Sequence, residues 1–312
     1  MNNRITEILG SRYPLILGPM RKITLGEMAA AVSESGGFGQ IAASGMSAEA
    51  LRIEIEKARK LTDFPFGINI PVYRGNALEA LEVAIEMGIK TITTSAGNPA
   101  KLIDRIKAAG IKVLHKVSTV EMALKAQEAG VDGVIATGFE AGGHVGRDNI
   151  TTFCLIPQLV DVLNIPVVAA GGIGNGQGLL AALALGAEGV EVGTRFIATR
   201  ECSCPGWFKD AIIQAKDGST VILGKEAMPI RVLRNKKSEL MSNPDKVIED
   251  QQVRENGDNA YMNRDPSKAI IPVGQVAGLI KDIKGVSDVF PDMVKEANEM
   301  ATKLKNFLKE DL

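Results

Sequence analysis

The chain has 312 residues, 45% hydrophobic and 23% charged, with a formal net charge of −1. That balance excludes a disordered polyelectrolyte, and with no basic block it gives no footing to nucleic acid or an anionic membrane. Three cysteines, two of them one residue apart, exclude a disulfide framework.

The N-terminus, MNNRITEILGSRYPLIL, has no long apolar stretch behind a basic start, so a secretory signal is not expected and the cytoplasm is the default. No apolar run approaches the ~20 residues that a membrane-spanning helix needs. From there, short apolar runs ending in small residues alternate with longer segments of helical period. The strand candidates are PLILGPM (14–20), FGQIAAS (38–44), PFGINIP (65–71), TITTSAG (91–97), KVLHKV (112–117), GVIATG (133–138), PVVAAGG (166–172) and GVEVGT (189–194). Between them lie helix candidates such as LGEMAAAVSES, SAEALRIEIEKARKL and PAKLIDRIKAA, several of which end in glycine.

Eight such units predict an α/β fold of the (β/α)₈ TIM-barrel type. A doubly wound open sheet reads similarly. It is disfavoured because no G-x-G-x-x-G opens the first unit and the glycine-rich turns follow the last strands. Residues 217–270 are polar and irregular and are expected to form a small, mainly helical lid. Residues 1–216 and 271–312 then make the barrel and its closing helices.

Ligands of such barrels sit at the C-terminal ends of the strands. The turns AAGGIGNGQG (169–178) and VGTRF (192–196) each lead into a helix N-terminus, where bare N–H groups favour a phosphate. Gly171, Gly172, Gly193 and Thr194 are therefore the phosphate-cradle candidates. Asn69 closes the third strand with a two-way amide, and Lys116 closes the fifth, where a cation would suit the pyrimidine edge of a flavin. His115 alternates with Lys116 and is expected behind the barrel wall.

The second of the chain's two histidines, His144, stands among glycines in FEAGGHVGRDN (139–149), after the sixth strand. An imidazole titrates near neutrality and can take a proton from an acidic carbon or return one. Glu140 is a candidate to orient it, although the plainer reading is a surface carboxylate. Cys202 and Cys204 make a poor zinc site, Cys154 suits packing, and no metal is expected.

The series GPM (18–20), PFGINI (65–70), SAGNP (95–99), HK (115–116), GFEAGGHVG (138–146), AAGGIGNGQG (169–178), GTRFIATREC (193–202) and GQVAGLI (274–280) resembles the nitronate monooxygenase (2-nitropropane dioxygenase) family. That family's relatives include FMN-dependent enoyl-ACP reductases of type II and NADH:quinone reductases. The resemblance implies an FMN-binding barrel, with NADH or NADPH as a candidate electron donor. It implies that the flavin rests on Gly18, Pro19, Met20, Asn69, Lys116 and Gln275 and that His144 is the catalytic histidine. The substrate would be a nitronate, an enoyl thioester or a quinone; acyl carrier protein as partner and a homodimer are left open. Non-catalytic flavin or phosphate binding is the remote alternative. In GPMRKI the proline has no N–H, which weakens a backbone contact to the flavin there.

Overall fold

The computed structural model describes residues 2–225, 228–242 and 269–310. Eight parallel strands form its main sheet: β1 (Leu15–Leu17), β2 (Gly39–Ala42), β3 (Phe66–Pro71), β4 (Thr91–Ser95), β5 (Lys112–Val117), β6 (Gly133–Thr137), β8 (Val167–Ala170) and β9 (Gly189–Val192). From β2 to β9 each strand of this sheet pairs with the next one along the chain, and β9 returns to pair with β1. The gap between β1 and β2 is bridged by Ile16 and Phe38, so the sheet closes. The expected barrel is what forms, and all eight predicted runs contain their strands.

The reason lies in the strand composition. Buried on both faces, these strands are rich in Ile, Val, Leu, Ala and Thr, with the polar residues confined to particular positions. Residues of one parity face helices α2 (Gly26–Glu34), α3 (Ala48–Leu61), α4 (Ala77–Glu86), α5 (Ala100–Ala108), α6 (Val120–Glu128), α7 (Thr152–Val162) and α8 (Gly176–Ala184). Those of the other parity fill the barrel. There, Ile16, Phe38, Leu114, Ile135 and Val168 pack together with Ile5 and Leu9 of the N-terminal helix α1 (Arg4–Leu9), which plugs the barrel floor. Two residues further along each of these strands, towards the C-terminal end, the inward row turns small or polar. Ile16 gives way to Gly18, Phe38 to Gln40, Leu114 to Lys116 and Ile135 to Thr137. That change of chemistry separates a sealed bottom from an open, polar top.

After β9 come α9 (Thr194–Ile197) and α10 (Gly206–Ile213). The stretch expected to be helical opens instead on a β-hairpin, β10 (Thr220–Leu223) and β11 (Ile230–Leu233), followed by α11 (Lys236–Met241). The runs TVIL and IRVL are β-branched and short, which suits strands better than helical turns. The rest of the predicted lid, 243–268, lies outside the described residues. A 3₁₀ turn, Gln275–Leu279, and the long helix α12 (Val286–Glu310) close the chain. Among the described residues no helix is long and apolar enough to cross a membrane.

Candidate active site

A cavity of about 800 Å³ opens at the C-terminal ends of the strands. Gly18, Pro19, Met20, Asn69, Lys116, Gly171, Gly172, Gly193, Thr194 and His144 all line it. These residues come from the first, third, fifth, sixth, seventh and eighth strand ends of the barrel, so the fold alone brings them together. Gln275 is the exception: its side chain is exposed and off the wall, where Gly274 and Val276 stand instead. Its backbone N–H donates to the carbonyl of Glu140 (2.9 Å), which ties the 3₁₀ segment to the histidine loop.

The floor is one hydrogen-bonded network. Asn69 Nδ2 donates to Thr93 Oγ1 (2.8 Å), and Thr93 Oγ1 donates to Gln40 Oε1 (2.5 Å). Gln40 Nε2 donates to Leu17 O (2.6 Å) and reaches Glu191 Oε2 at 3.5 Å. Glu191 in turn is ion-paired with Lys116, and both residues line the cavity. Gln40 and Thr93 are fully buried, and Asn69 and Glu191 nearly so. Buried polar groups are satisfied in this way because an unpaired one costs about 1–3 kcal/mol. Gln40, Thr93 and Glu191 escape a motif reading, yet each is an inward-facing strand position that the two-residue alternation could have marked.

Above the floor lies the glycine end. Gly171 and Gly172 adopt φ of +101° and +75°, a region open to glycine and costly to other residues. A Cβ on Gly193 would meet only Met20 Sδ, at 3.7 Å, so that position faces open space. Thr194 begins α9, and its Oγ1 accepts from the Gly274 N–H (3.0 Å). On the wall, Thr137 Oγ1 is buried and has no hydrogen-bond partner among the described residues. Open glycines leading into helices and a hydroxyl left for a ligand fit a phosphorylated planar cofactor such as FMN.

The first strand end contributes differently. Gly18 N–H donates to Val192 O (2.8 Å), Pro19 has none, and Met20 N–H donates to Thr24 Oγ1 (3.0 Å). No backbone donor there is left over for a ligand. Gly18 also has a packing role, since a Cβ would stand 3.2 Å from Gly193 Cα.

His144 is exposed to the cavity and held by an unexpected partner. Gly143 and His144 form a short strand, β7, which pairs antiparallel with β11: Ile230 lies opposite His144, and Arg231 opposite Gly143. Val145 N–H donates to Pro229 O (3.0 Å). Arg231, 3% exposed, donates to Phe139 O through Nε (3.1 Å) and Nη2 (2.8 Å), and its guanidinium lies over the Phe139 ring at 4.8 Å. Glu140 does not turn towards His144. Its carboxylate accepts from Thr152 N (2.8 Å) and Thr152 Oγ1 (3.1 Å) at the start of α7, a helix-capping arrangement. Of the two readings of Glu140, the orienting one has no contact behind it.

His115 is buried behind the barrel wall, as its parity required, with Nδ1 2.8 Å from Thr94 Oγ1. Burial holds its imidazole down at about 4, from 6.5, and a hydrogen bond to the Gly97 backbone opposes this only in part. Cys202 and Cys204 are buried beside each other and off the cavity; their mutual hydrogen bond lowers the Cys202 thiol to about 7 and, with burial, raises that of Cys204. Cys154 is exposed, not packed as its apolar surroundings suggested.

The nitronate monooxygenase family model matches residues 2–296. A probable nitronate monooxygenase of Staphylococcus saprophyticus subsp. saprophyticus is 31% identical, the match spanning 97% of this chain and 99% of that protein. Among solved structures, FabK from Thermotoga maritima superposes with a TM-score of 0.93 at 38% identity, covering 98% of this chain and 99% of its own. A nitroalkane oxidase from Streptomyces ansochromogenes gives 0.84 at 27% identity, over 97% and 100% of the two chains. With the polar barrel top, the glycine end and His144 around one cavity, the chain belongs to the nitronate monooxygenase family and is a flavin-dependent oxidoreductase.

Proposed function

We propose that the chain is an FMN-dependent oxidoreductase of the nitronate monooxygenase type, working on a small carbon acid at the C-terminal face of the barrel. The observation that carries the reading is a single cavity lined by His144, the positive-φ pair Gly171 and Gly172, and the Asn69–Lys116 floor. Bound FMN would supply a two-electron sink beside the substrate carbon. Gly171, Gly172, Gly193 and Thr194 would hold its phosphate, while Asn69 and Lys116 would meet the polar edge of its ring. Met20 and Ile23 give the cavity apolar wall, which keeps water from the reacting carbon. His144 would take the proton from the carbon next to the nitro group or hold the nitronate by a hydrogen bond. The segment 217–270 would act as a lid, and the enzyme would work in the cytoplasm.

A second reading is an NAD(P)H-dependent reductase of an enoyl thioester or quinone, with His144 delivering the proton. It is favoured by the cavity volume, at the large end for a small-molecule site, and by Arg21, Arg74 and Arg147 on the same lining, which suit a phosphate-bearing second substrate such as a dinucleotide or a carrier-bound thioester. The test is the visible spectrum of the purified protein, followed by anaerobic addition of a nitronate, NADH or NADPH. Bleaching by nitronate alone supports the first reading, and bleaching by a nicotinamide the second. A protein that takes up no FMN when it is supplied refutes both.

A further inference from the structure

Lys116 on the cavity floor is paired with the buried carboxylate of Glu191. We infer that Glu191 is a positioning residue that neutralises Lys116 and so sets the charge that the cofactor ring meets; this rests on the FMN reading. Glu191 lies on β9 facing into the barrel, its side chain 4% exposed against 21% for Lys116. Its carboxylate is held from two sides, by the ammonium and by Gln40 Nε2. Gln40 is locked in turn by Leu17 O and Thr93 Oγ1. The carboxylate is therefore held against the ammonium inside the barrel, and the cation is shared with a buried anion. A lysine standing alone on this floor would favour anionic ligands; the pair presents a floor of near-zero net charge.

The consequence is specific. Two electrons and one proton turn the neutral oxidised ring into an anionic reduced one, so the charge of the floor is felt mainly by the reduced form. With Glu191 in place that preference is damped. In Glu191→Gln the ammonium is uncompensated, and reduced FMN should gain on oxidised FMN by on the order of tenfold, about 30 mV in the two-electron potential. Lys116→Met leaves the carboxylate alone, and the ratio should move the opposite way. The double variant Lys116→Met/Glu191→Gln again has a neutral floor, and its ratio should return to within about threefold of the wild type.

The experiment measures FMN dissociation constants by fluorescence and midpoint potentials by dithionite titration against a reference dye, for all four proteins. Opposed shifts in the single variants with recovery in the double support the pairing. Should Glu191→Gln fail to fold, the wild type, Lys116→Met and the double variant still decide the matter, because recovery in the double requires the lost carboxylate. Potentials that stay together in all four FMN-bound proteins overturn this inference and leave the proposed function standing. A wild type that binds no FMN overturns both.

Discussion

Replacing Arg231 by alanine would test whether the hairpin of the insertion holds the His144 loop in place. The guanidinium makes two hydrogen bonds to Phe139 O, a third to Thr220 Oγ1 (3.0 Å), and a ring contact at 4.8 Å, all at a site 3% exposed. A charged hydrogen bond is worth about 1.5–3 kcal/mol and a desolvated cation–π contact about 0.5–2 kcal/mol. The relief of no longer burying a guanidinium offsets part of this. A net loss of about 2–4 kcal/mol is expected, concentrated where β11 meets β7. His144 is paired to Ile230 in the same ladder, so a shift of the hairpin moves the imidazole. A displacement of ~1 Å at a reacting group can cost about a hundredfold in rate. The variant should therefore lose on the order of 10- to 100-fold in kcat while its KM and FMN affinity change little. Arg231→Lys should fall between, since an ammonium cannot reproduce the two-pronged contact to one carbonyl. Steady-state kinetics alongside urea unfolding would separate the two effects. A variant with the expected loss of stability and an unchanged kcat would refute the coupling.

On the proposed function, His144→Ala should lower turnover by about 10²–10⁴-fold with FMN still bound, because the role proposed for the imidazole is on the substrate proton and not on the cofactor's anchor; loss of FMN from the variant would contradict this. Gly171→Ala forces a Cβ into φ +101° and within 3.0 Å of Ala141 N, so FMN affinity should drop and stability should fall by about 1–2 kcal/mol, read by flavin fluorescence and thermal melting. Glu140→Ala removes the carboxylate that caps α7 and should cost about 1 kcal/mol without moving the pH optimum of turnover; a shifted optimum would restore an orienting role. His115 is held at about 4, below its ordinary 6.5, so the unfolded chain takes up its proton first as pH falls. The stability this group contributes is thus complete above the unfolded value and declines by about 2–3 kcal/mol as pH drops towards 4. With two histidines in the chain, NMR should show one imidazole resonance titrating near 4, and His115→Gln should flatten the acid limb of the stability curve.

The barrel was readable because its evidence is local. Each strand is a run of β-branched and small residues whose two faces are both buried, and such runs differ sharply from the charged, periodic helices between them. The glycine turns at 171–172 and 193 were readable for a related reason: a backbone that must approach a ligand or adopt positive φ leaves glycine as its trace. The insertion was not. Its hairpin gets half of its justification from β7, two residues of the histidine loop far away in the chain, and no periodicity within TVIL or IRVL announces that pairing. A two-residue strand made of Gly143 and His144 has no strand signature at all.

Two glutamates show where sequence distance misleads. Glu140 is a near neighbour of His144 in the chain, and that proximity invites an acid–base dyad; the turn between them sends its carboxylate back to Thr152, where it satisfies the N-terminus of α7. Glu191 is remote from every motif residue of the third and fifth strands, but a closed barrel makes the eighth strand's inward face their neighbour, and there it meets Lys116. In a barrel of this kind, the relevant coordinate for site chemistry is parity and height along a strand. A residue that faces inward near a strand's C-terminal end shares the cavity with every other such residue, whatever separates them in the chain. The cofactor's electrostatics are then set by the sum of those inward positions, Gln40, Asn69, Thr93, Lys116 and Glu191 together, so that no single motif among them can predict the charge that a bound ring would meet.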